Sequence, residues 1–214
     1  MKFNAAIFDM DGTLLDSMHI WTGLGVQTLT EMGCTPRPDL DAHLKVMTLR
    51  QGAAYCQETY HLPLSAEELA DRMTQRVEHF YAHEVLPKPG VKRFLSALRQ
   101  RGIPLYVATA TDRPLAEAAL GQTGLTPYFQ GLLTCQDVGR GKEDPAVFQE
   151  ALARLGSERD ATWIFEDALH AIQTAKRAGF PVAAIYDPSA REDQEAIQSL
   201  ADYYFRSFED LPLP

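Results

Sequence analysis

Only three cysteines, Cys34, Cys56 and Cys135, occur among the 214 residues. They are odd in number and scattered, without the paired spacing of a zinc knuckle or a disulfide framework; they read as reduced thiols of a cytoplasmic protein. Long apolar runs are missing too. The opening Met1-Lys2-Phe3-Asn4-Ala5-Ala6-Ile7-Phe8 is too short an apolar stretch for a secretory signal, and no later segment could span a bilayer, so no membrane partner is expected. Positive charge is scarce. Against 29 Asp and Glu stand 20 Lys and Arg, a formal net charge of -9, which disfavours sequence-independent binding to nucleic acid or anionic lipid. An anionic ligand would need local help from a metal and a few cations. Internal repeats and low-complexity linkers are also lacking. What is present is a globular composition whose length suits one large domain or a core with a small insertion, expected as a monomer or weak dimer.

The organising stretch is Ala5-Ala6-Ile7-Phe8-Asp9-Met10-Asp11-Gly12-Thr13. A short apolar run ending abruptly in acid and then glycine predicts a buried parallel strand that delivers carboxylates to the carboxyl edge of a sheet. That edge is where open α/β sheets bind ligands. Asp9 and Asp11 are two apart, so on an extended backbone they lean the same way, while Met10 points back toward apolar cover. Two carboxylates that close call for a cation or a shared proton, and hard oxygen ligands favour Mg2+. Gly12 permits a tight turn or a close backbone approach to an anion. Standing alone, such a string is equally an acidic turn at a strand end.

After Asp16-Ser17 the period changes. Met18, Trp21, Gly25, Leu29 and Met32 have helical spacing with Gly33 as a stop, and Pro36 and Pro38 then break the chain. A second stripe runs Leu49, Ala53, Cys56, Tyr60. A third runs Leu69, Met73, Val77, Phe80 behind the capping box Ser65-Ala66-Glu67-Glu68. Helix thus follows helix to about residue 84, whereas strand and helix alternate thereafter. Because the first strand precedes this block and its partners follow it, residues 16–84 are expected to be an all-helical insertion in an α/β core made of 1–15 and 85–214. His79 and His83 are four apart and could share a metal, but no third ligand is evident.

In the second half, Val91, Phe94, Leu95 and Leu98 mark one face of a helix. Ile103–Thr109 reads as a buried strand ending in hydroxyls, with Asp112 placed to cap the next helix. Leu132-Leu133-Thr134 is a short strand. Asp144 and Pro145 read as the cap and first position of a helix continued by Phe148, Ala151, Leu152 and Leu155. Lys142 then stands just outside a helix N-terminus, a fair anion site; a solvated surface lysine is the plainer reading. The string Gly139-Arg140-Gly141-Lys142 lacks the glycine spacing of a P-loop. Ala161–Asp167 repeats the opening grammar, an apolar strand ending in two acids. Adjacent acids on a strand point to opposite sides, so one can face a metal while the other braces it; helix capping by Asp167 is the alternative. Val182–Tyr186 is a further strand, and Tyr203-Tyr204-Phe205 an edge strand.

The string from Phe8 to Ser17, Phe-Asp-Met-Asp-Gly-Thr-Leu-Leu-Asp-Ser, closely resembles the first motif of the haloacid dehalogenase superfamily, in the branch with an aspartate nucleophile that acts on phosphate esters. Thr109, Lys142 and Glu166/Asp167 stand where its second, third and fourth motifs fall, in the family's order. The lysine departs from the pattern in being followed by Glu143, with Pro145 three places on. The resemblance implies a Rossmann-like parallel sheet with an inserted helical cap closing over the catalytic edge, hinged near Leu15-Asp16 and His83–Leu86. It implies a Mg2+-dependent phosphatase in which Asp9 attacks phosphorus to form an aspartyl-phosphate and Asp11 serves as acid and then base. Thr109, Lys142 and the backbone at Met10, Asp11 and Ala110 would bind the phosphoryl group. Mg2+ would be held by Asp9, the Asp11 carbonyl and Asp167, with Glu166 as acidic neighbour. Within the superfamily, the cap type and the surroundings of Asp16 look like the relatives of β-phosphoglucomutase, a group that also holds sugar-phosphate phosphatases. The mutases carry a hinge-helix histidine where this chain has Trp21, which favours hydrolysis. The implied substrate is a small phosphorylated metabolite, sugar phosphates first. A phosphosugar mutase and a catalytically silent binding protein are the alternatives. Trp21, Arg50, Arg72 and Arg76 are candidate substrate contacts of the cap, although ordinary solvated cations are the plainer reading of the arginines.

Overall fold

Down the chain, β1 (Ala5–Phe8) is followed by four helices, α1 (Met18–Glu31), α2 (Leu40–Leu44), α3 (Leu49–Tyr60) and α4 (Ala66–His83). Then come α5 (Val91–Gln100), β2 (Leu105–Thr109), α6 (Arg113–Gln122), β3 (Gly131–Thr134), α7 (Cys135–Val138), α8 (Ala146–Leu155), β4 (Thr162–Glu166), α9 (Leu169–Arg177), β5 (Val182–Ile185), α10 (Gln194–Leu200) and β6 (Tyr203–Phe205). The computed structural model describes residues 4–44, 47 and 49–212; Met1, Lys2 and Phe3, part of the opening read for a secretory signal, lie outside the described residues. The chain separates into two compact units, one of Met1–Asp16 with Val85–Pro214 and one of Ser17–Glu84.

In the first unit six parallel strands lie in the order β3-β2-β1-β4-β5-β6. The chain builds outward from β1 through β2 and β3, then returns to the other flank of β1 for the rest. The reversal falls between β1 and β4, the point at which doubly wound sheets open a ligand crevice beyond the strand ends. Period-two alternation sorts the side chains onto two faces. Ile7, Ala108, Ile164 and Val182 enter one core with Phe148 and Ala151 of α8 and Ile172 and Ala175 of α9. On the other face Phe8 and Phe165 stack with ring centroids 4.4 Å apart, and Phe94 of α5 meets Phe165 edge-on. The expected apolar stripe of α5, Val91, Phe94, Leu95 and Leu98, is fully buried; each such side chain contributes roughly 1.5–3 kcal/mol.

The second unit is helical throughout its described residues, its interior filled by Leu24, Leu29, Ala53, Leu69, Met73, Val77 and Phe80. The Cys56 thiol is buried there and pushed up to about 11 by desolvation, which leaves it unreactive. Both bonds of the Ser65–Glu68 capping box are made. The short α2 was not foreseen, because five residues behind two prolines are too few to show a period. No helix among the described residues is long and apolar enough to cross a membrane.

Two other local expectations need correction. Asp112 occupies the cap position of α6 without bonding its amides; its Oδ1 instead accepts from Gln136 Nε2 at 2.5 Å. Asp144 Oδ1 does accept from the Ala146 amide at 2.9 Å, but Pro145 takes the cap position and α8 starts one residue later than expected. Where the chain passes between β1 and α1 and again before α5, its two passes run side by side. Leu15 bridges Pro87, Asp16 N donates to Leu86 O at 3.0 Å, and Lys88 N donates to Leu14 O at 2.9 Å.

Candidate active site

The site is a consequence of strand register. Phe8 pairs with Phe165, so the next residues, Asp9 and Glu166, emerge side by side, and Asp9 N donates to Phe165 O at 2.9 Å to extend the ladder by one step. Alternation turns both acids toward the face of Ile7 and Ile164, the face that α8 covers. Lys142 enters from the loop ahead of α8. Its ammonium donates to Asp9 Oδ1 and, at 2.6 Å, to Glu166 Oε1, and it lies 5.8 Å from the centroid of the Phe148 ring. At 5% exposure this is no surface lysine.

Asp167 joins the same cluster, against the expectation that adjacent acids diverge. Alternation stops governing the backbone where β4 ends at Glu166, and Glu166 Oε2 accepts from the amides of Asp167 (2.7 Å) and Ala168 (2.9 Å), curling the chain around its own carboxylate. Asp167 is therefore not the cap of α9. Ligand oxygens of Asp9, Glu166 and Asp167 lie within 4.8 Å of one another, and all three residues are buried. Thr13 Oγ1 donates to Asp167 Oδ1 at 2.8 Å. Gly12, with φ +80°, passes so close that a Cβ there would run into that carboxylate.

Asp11 behaves otherwise. The chain leaves extended geometry after Phe8, so the two-residue rule no longer holds, and the Asp11 carboxylate is not a member of the buried trio. Its Oδ2 accepts from Thr111 Oγ1 at 2.5 Å. Thr109, buried at the end of β2, accepts the Thr111 amide on its Oγ1 at 3.1 Å; Ala110 lies exposed between the two threonines, and Met10 is buried. Thr13 and Thr111 were not singled out from the sequence. The signal for Thr111 was there: Thr109-Ala110-Thr111 repeats at the end of β2 the alternate-residue pattern of Asp9-Met10-Asp11 beyond β1.

Charge is unbalanced. Three carboxylates face one ammonium. Desolvation pushes Asp9 up to about 7, Lys142 opposing and Glu166 reinforcing the shift. Burial, then Glu166 and Asp9, holds Asp167 well above the usual carboxylate range. Burial alone would pull Lys142 down, but Asp9 and Glu166 outweigh it and keep the ammonium charged. A trio of hard oxygen donors two positive charges short fits a small divalent ion such as Mg2+, which takes oxygen ligands at about 2.1 Å. Asp9, Glu166 and Asp167 are the side chains that could hold it; among the described residues no other group of three ligand-bearing side chains converges this way. His79 and His83 stand with ring centroids 4.8 Å apart but belong to no such group of three among the described residues.

In the helical unit, Trp21 is exposed and donates from Nε1 to the Tyr81 hydroxyl at 3.0 Å. Arg50 and Arg72 are exposed. Arg76 is committed to Glu84, Nη1 to Oε1 at 2.5 Å, and His79 contacts the same oxygen.

The haloacid dehalogenase-like hydrolase family matches residues 6–185. This chain belongs to that family. Relatives of this haloacid dehalogenase-like hydrolase include a phosphorylated carbohydrates phosphatase of Thermotoga maritima, 27% identical over 175 residues and covering 82% of this chain and 81% of that protein. A validoxylamine A 7'-phosphate phosphatase of Streptomyces hygroscopicus is 32% identical over 181 residues, 83% of each chain. Among solved structures, a beta-phosphoglucomutase-like protein of Thermotoga maritima superposes with a TM-score of 0.84 over 97% of this chain and 96% of its own, at 24% identity. That likeness is one of fold: a haloacid dehalogenase-like, Rossmann-type sheet with helices.

Proposed function

We propose that this hydrolase cleaves phosphate monoesters of small metabolites, sugar phosphates first, through an aspartyl-phosphate on Asp9. The observation that carries the reading is the meeting of Asp9, Lys142, Glu166 and Asp167 at the switch point of the sheet; that relatives of the same length are phosphatases of phosphorylated carbohydrates and similar compounds supports it. An Asp9 carboxylate oxygen attacks phosphorus. As the bond to the ester oxygen breaks, its electron pair stays on that oxygen, which takes a proton from Asp11. A water then gives a proton to the Asp11 carboxylate and attacks phosphorus, and the electron pair of the acyl-phosphate bond returns to Asp9. Lys142, held charged by its two carboxylates, stabilises the phosphoryl oxygens as they crowd at the transition state. Thr109 and the amides of Met10, Asp11 and Ala110 bind those oxygens; with the Thr111 amide already on its Oγ1, the Thr109 hydroxyl is free to donate outward. Asp9 and Asp167, with the Asp11 carbonyl and the neighbouring Glu166, would hold a Mg2+, which would supply the charge that lets a carboxylate approach a phosphate dianion.

Residues 16–84 act, in this reading, as the cap that selects the substrate, with Trp21, Arg50 and Arg72 as its contacts. The test is turnover across sugar phosphates, phosphoglycolate and nucleotides, in Mg2+ and again in chelator. Phosphate release that needs Mg2+ and vanishes in Asp9→Asn is expected; isomerisation of β-glucose 1-phosphate without release would instead make it a mutase, and metal binding without turnover of any ester a silent binding protein.

A further inference from the structure

We infer that Thr111 is a positioning residue for proton transfer: its hydroxyl tethers the Asp11 carboxylate at the spot where the departing oxygen of the ester collects its proton. The inference rests on the phosphatase reading above and adds a residue to it. Asp11 follows Asp9 by two positions in a turn, half-buried, and three buried carboxylate-bearing residues stand beside that turn. A hydroxyl 100 residues away in the chain holds the Asp11 carboxylate: Thr111 Oγ1 donates to Asp11 Oδ2 at 2.5 Å. Thr111 is in turn fixed by its amide on Thr109 Oγ1, 3.1 Å, at the buried end of β2. The result is a bracket from the second strand to the acid that follows the first. The same two threonines serve both ends of the reaction, Thr109 toward the phosphoryl group and Thr111 toward the acid. A β-branched side chain suits the task, since few χ1 rotamers are open to it.

The role predicts a dependence on the leaving group that a merely structural threonine would not produce. An alkyl oxygen needs a proton as it departs; p-nitrophenolate leaves without one. With Thr111→Val, steady-state kcat on a sugar phosphate that the wild type turns over falls by about 10–100-fold, the usual loss when a general acid is misplaced. The first turnover on p-nitrophenyl phosphate, read as the burst of p-nitrophenolate in stopped flow, stays within about threefold of wild type, while the later steady state slows because Asp11 must still deprotonate water. Thr111→Ser, which keeps the hydroxyl, restores most of the sugar-phosphate rate. Equal losses in the burst and on the sugar phosphate, an unchanged Thr111→Val enzyme, or no rescue by serine would each overturn the inference. A wild type inert toward every phosphate monoester would instead remove the phosphatase reading itself, an outcome read before any variant is made.

Discussion

The strand edge of the core unit and the surface of the helical unit both carry charged side chains, yet they hold them differently. At the edge, Asp9, Glu166, Asp167 and Lys142 are each at most 6% exposed and each bonded or clustered with the others. On the helical unit Arg50 and Arg72 are exposed, and Arg76 is spent on a partly exposed ion pair. Parallel register accounts for the contrast. It fixes what stands beside what at strand ends to within one residue, whereas a helix surface offers its side chains to solvent and leaves their partners to whatever binds.

The widest break between the two regions is expected at Asp9. Asp9→Asn should lower kcat by about 10^4-fold or more, as loss of a nucleophile does, while its fold is kept and, in chelator above pH 7, its melting temperature exceeds that of wild type because a neutral amide is spared the desolvation that raises the Asp9 pKa. Lys142→Met comes next. It leaves two buried carboxylates without their ammonium and should cost about 3–5 kcal/mol in urea unfolding without metal, a loss that Mg2+ reduces in part.

The third prediction concerns pH. Between the ordinary aspartate value of 3.8 and about 7, folded Asp9 keeps a proton that the unfolded chain has lost, and Asp167 shifts in the same direction. The native state then binds more protons than the unfolded one, so stability falls as pH rises through that window. Calorimetry in chelator should follow that descent. Mg2+ competes with those protons and should raise the melting temperature by more at pH 8 than at pH 5; an equal rise at both would place the ion elsewhere.

How far the sequence discloses all this follows the same division. Strand ends are legible because an apolar run stopping at acid or hydroxyl is a short-range pattern, and three of them with a lysine ahead of a helix, in a known order, specify a family. The trio's closeness was only half legible, since alternation predicted that Glu166 and Asp167 diverge, and the two amides that curl onto Glu166 leave no trace in residue type. Thr13 was invisible for a different reason, and Thr111 showed only as an alternate-residue repeat at the end of β2. Their bonds join residues 100 and 154 positions apart, and a threonine near a strand end is as often a β-former as a donor. Lys88 is a similar case: its Nζ lies 2.7 Å from Asp187 Oδ2 beyond β5, a pairing that no short-range pattern announces.

The smallest expected effects lie on the helical unit, and they sharpen the comparison because a stability readout and a substrate readout should separate there. Arg50→Ala and Arg72→Ala should each shift unfolding by less than about 0.5 kcal/mol, as exposed substitutions do. If these cations grip a distal anionic group, KM rises for substrates carrying a second phosphate or a carboxylate and stays unchanged for neutral-tailed monoesters. Trp21→Phe keeps the ring but drops the bond to the Tyr81 hydroxyl, at a cost of about 1 kcal/mol. Since that bond lies within the helical unit, the cost should appear in unfolding whatever the substrate, and any rise in KM at unchanged kcat would report uniform binding energy lost with the exposed indole. An equal fall in kcat for every ester would mean that the helical unit shapes the chemical step itself, and the contrast between a locked edge and a loose selecting surface would not survive it.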